Sequence, residues 1–305
     1  MPRHAIIHGV PMVENPIKKL LLDLNICTAS SIHAFYPQVR DRSDVAVLKC
    51  YKSGVIFISS VEHMDLAHYE NKTGYDYWSV ADRQQAVNAE QEDLQRRATL
   101  LKVMIVNRNW LDIGTGTGGL LDQLKPLAAK IVSVEPQKGA RHCLQQLGYE
   151  VFPNIESINT TDFQIITLFH VFEHFTNPLD DLISIAERLS DNGKIIIEVP
   201  HANDFLISFL DLESFKRFTF WSEHLILHTR QSLEIFLKAA GFKEIIINAV
   251  QRYPLANHLY WLSKNKPGGH QHWPFLRSKE LDLAYTQMLA KNNQTDTLVA
   301  IATKA

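Results

Sequence analysis

The sequence predicts an α/β fold, a mostly parallel sheet wrapped by helices, and three observations carry that prediction. From Asn109 onward, short apolar runs alternate with segments of helical period. The gaps between most of these runs are long enough for crossover connections. A glycine-rich loop, Gly114-Thr115-Gly116-Thr117-Gly118-Gly119, sits where the first run gives way to a helix.

Strands are expected at Asn109–Ile113, Ile131–Val134, Glu150–Phe152, Phe163–Phe169, Lys194–Val199, Glu244–Ala249 and Thr297–Thr303. Asn177-Pro178 offers a cap and a first-turn proline to one helix, which Asn192-Gly193 is expected to end. A second helix runs from Thr229 to Gly241, where glycine suits the left-handed position after the last turn. Upstream, Val45–Lys49 and Gly54–Ser59 read as a β-hairpin and Ala81–Val106 as helical. The organisation that follows is an accessory, substrate-side region over 1–106, a core over 107–250, an insertion or lid over 251–296, and a last core strand over 297–305.

Composition narrows the function. Hydrophobic residues make up 46% and charged residues 21%, as in an ordinary folded domain. The net charge of −2, from 31 basic and 33 acidic residues mixed along the chain, leaves no basic stripe for a nucleic acid backbone. No segment approaches about 20 uninterrupted apolar residues, and Cys27, Cys50 and Cys143 are scattered and odd in number. A cytoplasmic protein without structural disulfides is expected.

Gly114, Gly116 and Gly119 satisfy the dinucleotide pattern G-x-G-x-x-G, and Glu135 follows where such folds place a ribose-binding acid. Asp112 argues for a different ligand. A carboxylate just before the loop would repel a pyrophosphate but attract the ammonium of an amino-acid-bearing nucleoside.

In motif order, LDIGTGTGGLL, VSVEP, ITLFHVFEHFTNPLDDL and DNGKIIIEVP resemble class I S-adenosylmethionine-dependent methyltransferases over roughly 109–249. The resemblance implies a seven-stranded Rossmann-like sheet of order 3-2-1-4-5-7-6 with an antiparallel last strand, and S-adenosylmethionine as cofactor. It places Asp112, Gly114, Thr115, Gly116 and Gly118 around the methionine part, and Glu135 with Pro136 at the ribose. Asn154 and Ile155 would meet the adenine, and His170 would lie beside the cofactor. More narrowly, the FWSEHL segment and the aromatic, PGG-containing insertion are similar to bacterial methyltransferases of sugar and surface-glycan biosynthesis. That similarity implies a sugar or nucleotide-sugar acceptor. A histidine base would serve a hydroxyl or an acidic carbon and a free amine needs little base help, so oxygen is preferred with carbon and nitrogen left open. The same similarity implies His224 as catalytic base and Glu223 as its orienting or substrate-binding partner. By position, His174 is expected to border the acceptor pocket or to cap local backbone groups, and by residue type Tyr260 is expected to touch the acceptor or to pack in a core or interface.

Some relatives of this kind carry an N-terminal zinc module of paired cysteines, but Ser53 stands where Cys50 would need its partner, and Cys27 is also unpaired. The stretch His170–His174 spells the peptidase pattern H-x-x-E-H, yet His170 ends an apolar strand and helical spacing is not expected there. No bound metal is therefore expected. Tyr253, His258, Tyr260, Trp261 and His270 are the insertion's candidates for a sugar pocket, and Arg40 or Arg42 for further acceptor contacts; aromatic segments of the insertion would equally suit a homo-oligomer interface. The rival readings are an NAD-dependent oxidoreductase and a non-catalytic S-adenosylmethionine-binding protein.

Overall fold

A computed structural model describes residues 15–64 and 82–305. In chain order its strands are β1 (Ile32–Tyr36), β2 (Val47–Cys50), β3 (Ile56–Ile58), β4 (Asn109–Ile113), β5 (Lys130–Val134) and β6 (Glu150–Phe152), followed by β7 (Phe163–Phe169), β8 (Leu189–Pro200), β9 (Ile226–Leu227), β10 (Phe242–Val250) and β11 (Thr297–Lys304). Seven of them form one sheet in the order β10-β11-β8-β7-β4-β5-β6. Counted as seven core strands and read from the other edge, this is 3-2-1-4-5-7-6. β11 is antiparallel to both β8 and β10, while the β4, β5, β6, β7 and β8 pairings are parallel.

The central strands are nearly continuous apolar runs because both faces of the sheet are covered. Ile165, Ile166 and Leu168 of β7 and Ile195, Ile196 and Ile197 of β8 are all buried. Glu198 interrupts that run and is also fully buried.

Several expected boundaries shift. The helix Pro178–Arg188 ends before Asn192-Gly193, because Leu189 is drawn into the core opposite Phe163 and starts β8; Asn192, at φ +58°, lies inside a strand irregularity instead. Asn177 makes no side-chain cap. Thr229 and Ser232 do cap the helix Arg230–Ala239 reciprocally, and Gly241 follows it at φ +84°. The described part of the Ala81–Val106 segment divides into helices Arg83–Ala89 and Gln91–Leu101, joined at Glu90, and Ala81 itself lies outside the described residues. β10 starts two residues earlier than expected and carries a register shift at Glu244, whose φ is +50°.

The hairpin near residue 50 is present as β2 and β3, but it belongs to a second, four-stranded sheet of order β1-β2-β3-β9. Its last member, β9, comes from far along the chain and pairs antiparallel with β3. Beneath this sheet Cys50 Sγ lies 3.2 Å from Ser31 Oγ and Cys27 Sγ 3.9 Å from Ser53 Oγ. Two sulfurs and two hydroxyls thus occupy a knuckle that lacks the four strong ligands of structural zinc. The three cysteines are free. Between β10 and β11 stand helices Leu255–Lys264, Gly269–His272 and Lys279–Lys291. No described helix is long and apolar enough to cross a membrane.

Candidate active site

The parallel pairing of β4 with β7 sets Asp112 opposite Thr167. Thr167 Oγ1 donates to Asp112 Oδ1 at 2.5 Å and accepts from Trp110 Nε1 at 2.8 Å, which fixes the carboxylate at the mouth of the loop. Gly114, Gly116 and Gly118 then take positive φ values. A Cβ on Gly114 would fall 2.2 Å from Val171 Cγ2, so the loop passes where only glycine fits. Glu135, at the end of β5, accepts from the Gly116 amide at 2.7 Å and the Gln137 amide at 2.8 Å. Arg83 braces the loop from outside through Thr117 O and Asp122.

These groups open on a cavity of about 670 Å³, within the range of small-molecule sites. Asp112, Gly114, Thr115 and Gly116 line one end, with Glu135 and Pro136 beside them and Asn154 and Ile155 beyond. His174 and His224 line the other end, together with Arg40 and Trp221, and His170 lines the wall between the two. Three expected site residues lie outside the wall. Gly118 packs toward Leu144, where a Cβ would be 2.4 Å from Leu144 Cδ2. Glu223 is buried behind the surface. Tyr260 is turned into the insertion, stacked on His272 and edge-on to Trp273. Asn154 has its carbonyl oxygen occupied by the Ser157 amide and hydroxyl.

Of the insertion's aromatics, Tyr253 reaches the cavity, while His258 is bonded to the Tyr285 hydroxyl at 2.7 Å. Arg42 pairs with Asp44 at the surface.

The sequence reading missed a buried charge network behind the cavity. Glu198 accepts from Arg96 at 2.7 and 2.9 Å and from Arg97 at 2.7 and 3.1 Å. Arg97 also lies over the Phe169 ring at 4.9 Å and reaches the cavity wall beside Asp112. Arg252 is bonded to Asp93, and its Nη1 lies 2.8 Å from His170 Nε2. The available signal was the acid at position 198 inside the run KIIIEVP, which a buried strand tolerates only with partners.

His224 is carried by the other sheet. Asp41 accepts from the Ser222 amide at 3.0 Å and its hydroxyl at 2.6 Å, Arg40 lies 4.5 Å over Trp221, and His63 Nε2 bonds Ser222 O at 2.9 Å. The His174 and His224 rings are 5.3 Å apart. Burial, and then the neighbouring His174, lower His224 to about 3, so its imidazole is neutral near pH 7. Burial alone would raise Glu173, but the hydrogen bond from His170 and the adjacent imidazoles hold it down at about 2.

Burial pushes Asp112 up to about 6 and Glu135 up to about 7. These values lie above the ordinary 3.8 and 4.5, so the folded protein retains protons that the unfolded chain has released. Through these groups the free protein loses stability as pH rises from about 4 through about 7. A ligand offering an ammonium and ribose hydroxyls favours the ionised carboxylates. The rise in melting temperature caused by S-adenosylhomocysteine is therefore expected to be larger at pH 8 than at about pH 5.5; an increment independent of pH would contradict this placement of the two acids.

The sequence profile of the family described as "Methyltransferase domain" matches residues 71–246, more than half of the chain. The chain belongs to this methyltransferase family. As a member it is an S-adenosylmethionine-dependent methyltransferase, which sets aside the nicotinamide reading. The donor set fits the cofactor: a loop that admits no side chain at Gly114, two buried acids and a guanidinium along the cavity wall.

Among solved structures, the methyltransferase fold shares its architecture with a Haloferax volcanii methyltransferase solved with its activator, at 11% identity and a TM-score of 0.51, covering 76% of this chain and 98% of that one. A Thermotoga maritima S-adenosylmethionine-dependent methyltransferase aligns at 18% identity and 0.49, covering 73% and 93%. The N-methyltransferase NodS of Bradyrhizobium japonicum, solved with S-adenosylhomocysteine, aligns at 13% and 0.46, covering 78% and 96%. No curated protein matches by sequence.

Proposed function

We propose that this methyltransferase acts on a hydroxyl of a small sugar or nucleotide sugar, in cytoplasmic glycan biosynthesis. The observation that carries the reading is the composition of the cavity's far end, where Trp221, Arg40, His174 and the neutral His224 meet. An indole face packs against a sugar ring, a guanidinium suits a phosphate, and an imidazole suits a hydroxyl proton.

When bound, S-adenosylmethionine would supply an electrophilic methyl group for transfer to the acceptor oxygen, with sulfur as the leaving group that keeps the electron pair. Asp112 and Arg97 would hold the amino-acid end by its ammonium and carboxylate, and Glu135 the ribose. His170 is fixed by Glu173 and Arg252 at the boundary between the two ends of the cavity. His224 would receive or direct the proton released from the acceptor hydroxyl, while Trp221 and Arg40 orient the acceptor for in-line attack.

Screening nucleotide sugars for acceptor-dependent release of S-adenosylhomocysteine tests the reading. In His224→Ala, turnover should fall by roughly 10²–10⁴-fold with unchanged S-adenosylhomocysteine binding. Near-normal turnover in that variant, or no turnover with any hydroxylated acceptor, would sink the proposal.

A further inference from the structure

Beside the cavity two buried polar atoms, on Glu173 and His224, have no hydrogen-bond partner among the described residues. Glu173 is fully buried; its Oε1 accepts from His170 Nδ1 at 3.2 Å, while its Oε2 meets no hydrogen-bond partner among the described residues. His224 Nδ1 is likewise buried without a hydrogen-bond partner among them. One atom each from Glu173, His174 and His224 lie within 4.8 Å of one another. An unmatched buried carboxylate oxygen and imidazole nitrogen are costly to leave bare. Something that accepts lone pairs would relieve both at once.

We propose that Glu173, His174 and His224 bind a divalent first-row cation at the acceptor end of the cavity. Two imidazoles and one carboxylate are a donor set suited to such ions, and three protein ligands leave open positions. Those positions face the cavity, because His174 and His224 line it. The ligands come from two segments clamped together: Glu173 and His174 lie on the short 3₁₀ turn Phe172–His174, and the amide of Leu225, next to His224, donates to Glu173 O at 2.8 Å.

His170 is not a ligand, since Nδ1 is turned to Glu173 and Nε2 to Arg252; it holds the carboxylate in place from behind. The nearby positive groups are themselves compensated. Arg252 is paired with Asp93, and the charge of Arg40 is met by Asp41 and Glu223.

The site deepens the acceptor reading and rests on it for its role, though not for its existence. An acceptor hydroxyl bound to the cation would lose its proton more readily, the proton passing to solvent, and His224 would then act as ligand rather than as base. Loss of turnover in His224→Ala is common to both roles. Metal titration separates them.

The test is calorimetric titration of the chelator-stripped protein with ZnCl₂, with CoCl₂ absorption as a second readout. One ion per chain is expected, with affinity reduced more than about 100-fold in Glu173→Gln, His174→Ala and His224→Ala, and unchanged in the exposed His142→Ala. Retained S-adenosylhomocysteine binding in each variant reports that it is folded. No binding of either ion by the wild-type protein, as expected if water fills the gap, overturns the proposal. So does binding that persists undiminished in all three variants. Since no acceptor is present, failure of the sugar reading leaves this result intact, and failure of metal binding leaves the acceptor screen intact.

Discussion

Replacing Glu198 with alanine is expected to destabilise the protein by about 3–5 kcal/mol, because it leaves buried guanidinium charge without its partner. Arg97 is only 8% exposed and bonds Glu198 through two nitrogens, and Arg96 bonds it through two more. The loss should reach function as well, since the same carboxylate fixes Arg97 beside Asp112 on the cavity wall. Urea unfolding and S-adenosylhomocysteine titration measure the two effects. Adding Arg97→Met to Glu198→Ala should recover part of the stability, by removing one uncompensated charge, but none of the cofactor affinity. A change within about 0.5 kcal/mol, the usual range for surface positions, would show that the network is not what holds this wall together.

Gly114→Ala carries the second large effect, and it falls on binding. At φ +72° a side chain costs about 1–2 kcal/mol, and displacing Val171 adds about 1–3 kcal/mol of overpacking. If the loop relaxes out of its cradle to escape both, cofactor affinity falls on the order of 10²-fold. Two comparisons separate the causes. Val171→Ala in the same background should relieve the clash and not the backbone strain. Gly148→Ala, at φ +80° with no atom within 4 Å of its Cβ, should cost stability alone. Equal cofactor binding by Gly114→Ala and the wild-type protein would remove the close approach from the argument.

The strands were legible where burial on both faces makes continuous apolar runs, as in Phe163–Phe169, and the glycine loop was legible because backbone strain restricts the residues it can use. Asp112, Glu135 and His170 stand out at or beside strand ends and His174 and His224 in motifs marked by resemblance, and all five line one cavity. Pairwise charge compensation left weaker traces. Nothing in the helical period of Gln91–Leu101 distinguishes Arg96 and Arg97, which turn inward, from a solvated face, because their partner lies about a hundred residues away. Tyr260 has the chemistry of a sugar contact, but its helix directs it toward His272 and Trp273. Residue type gave the wrong emphasis where orientation decided.

β9 is two residues long, below any length that periodicity detects, yet it completes the sheet begun by β1, β2 and β3. Its pairing means that the cavity wall around His174 and His224 is assembled from both halves of the chain, as a seam rather than as an attachment. An N-terminal region exchanged between such enzymes at a single boundary near residue 106 would separate β3 from β9 and disturb the seat of His224. On the proposed reading of His224 and Trp221 as acceptor-side residues, recombination that preserves catalysis would have to transfer residues 220–229 with the N-terminal sheet, and specificity would be inherited as two distant segments that change together.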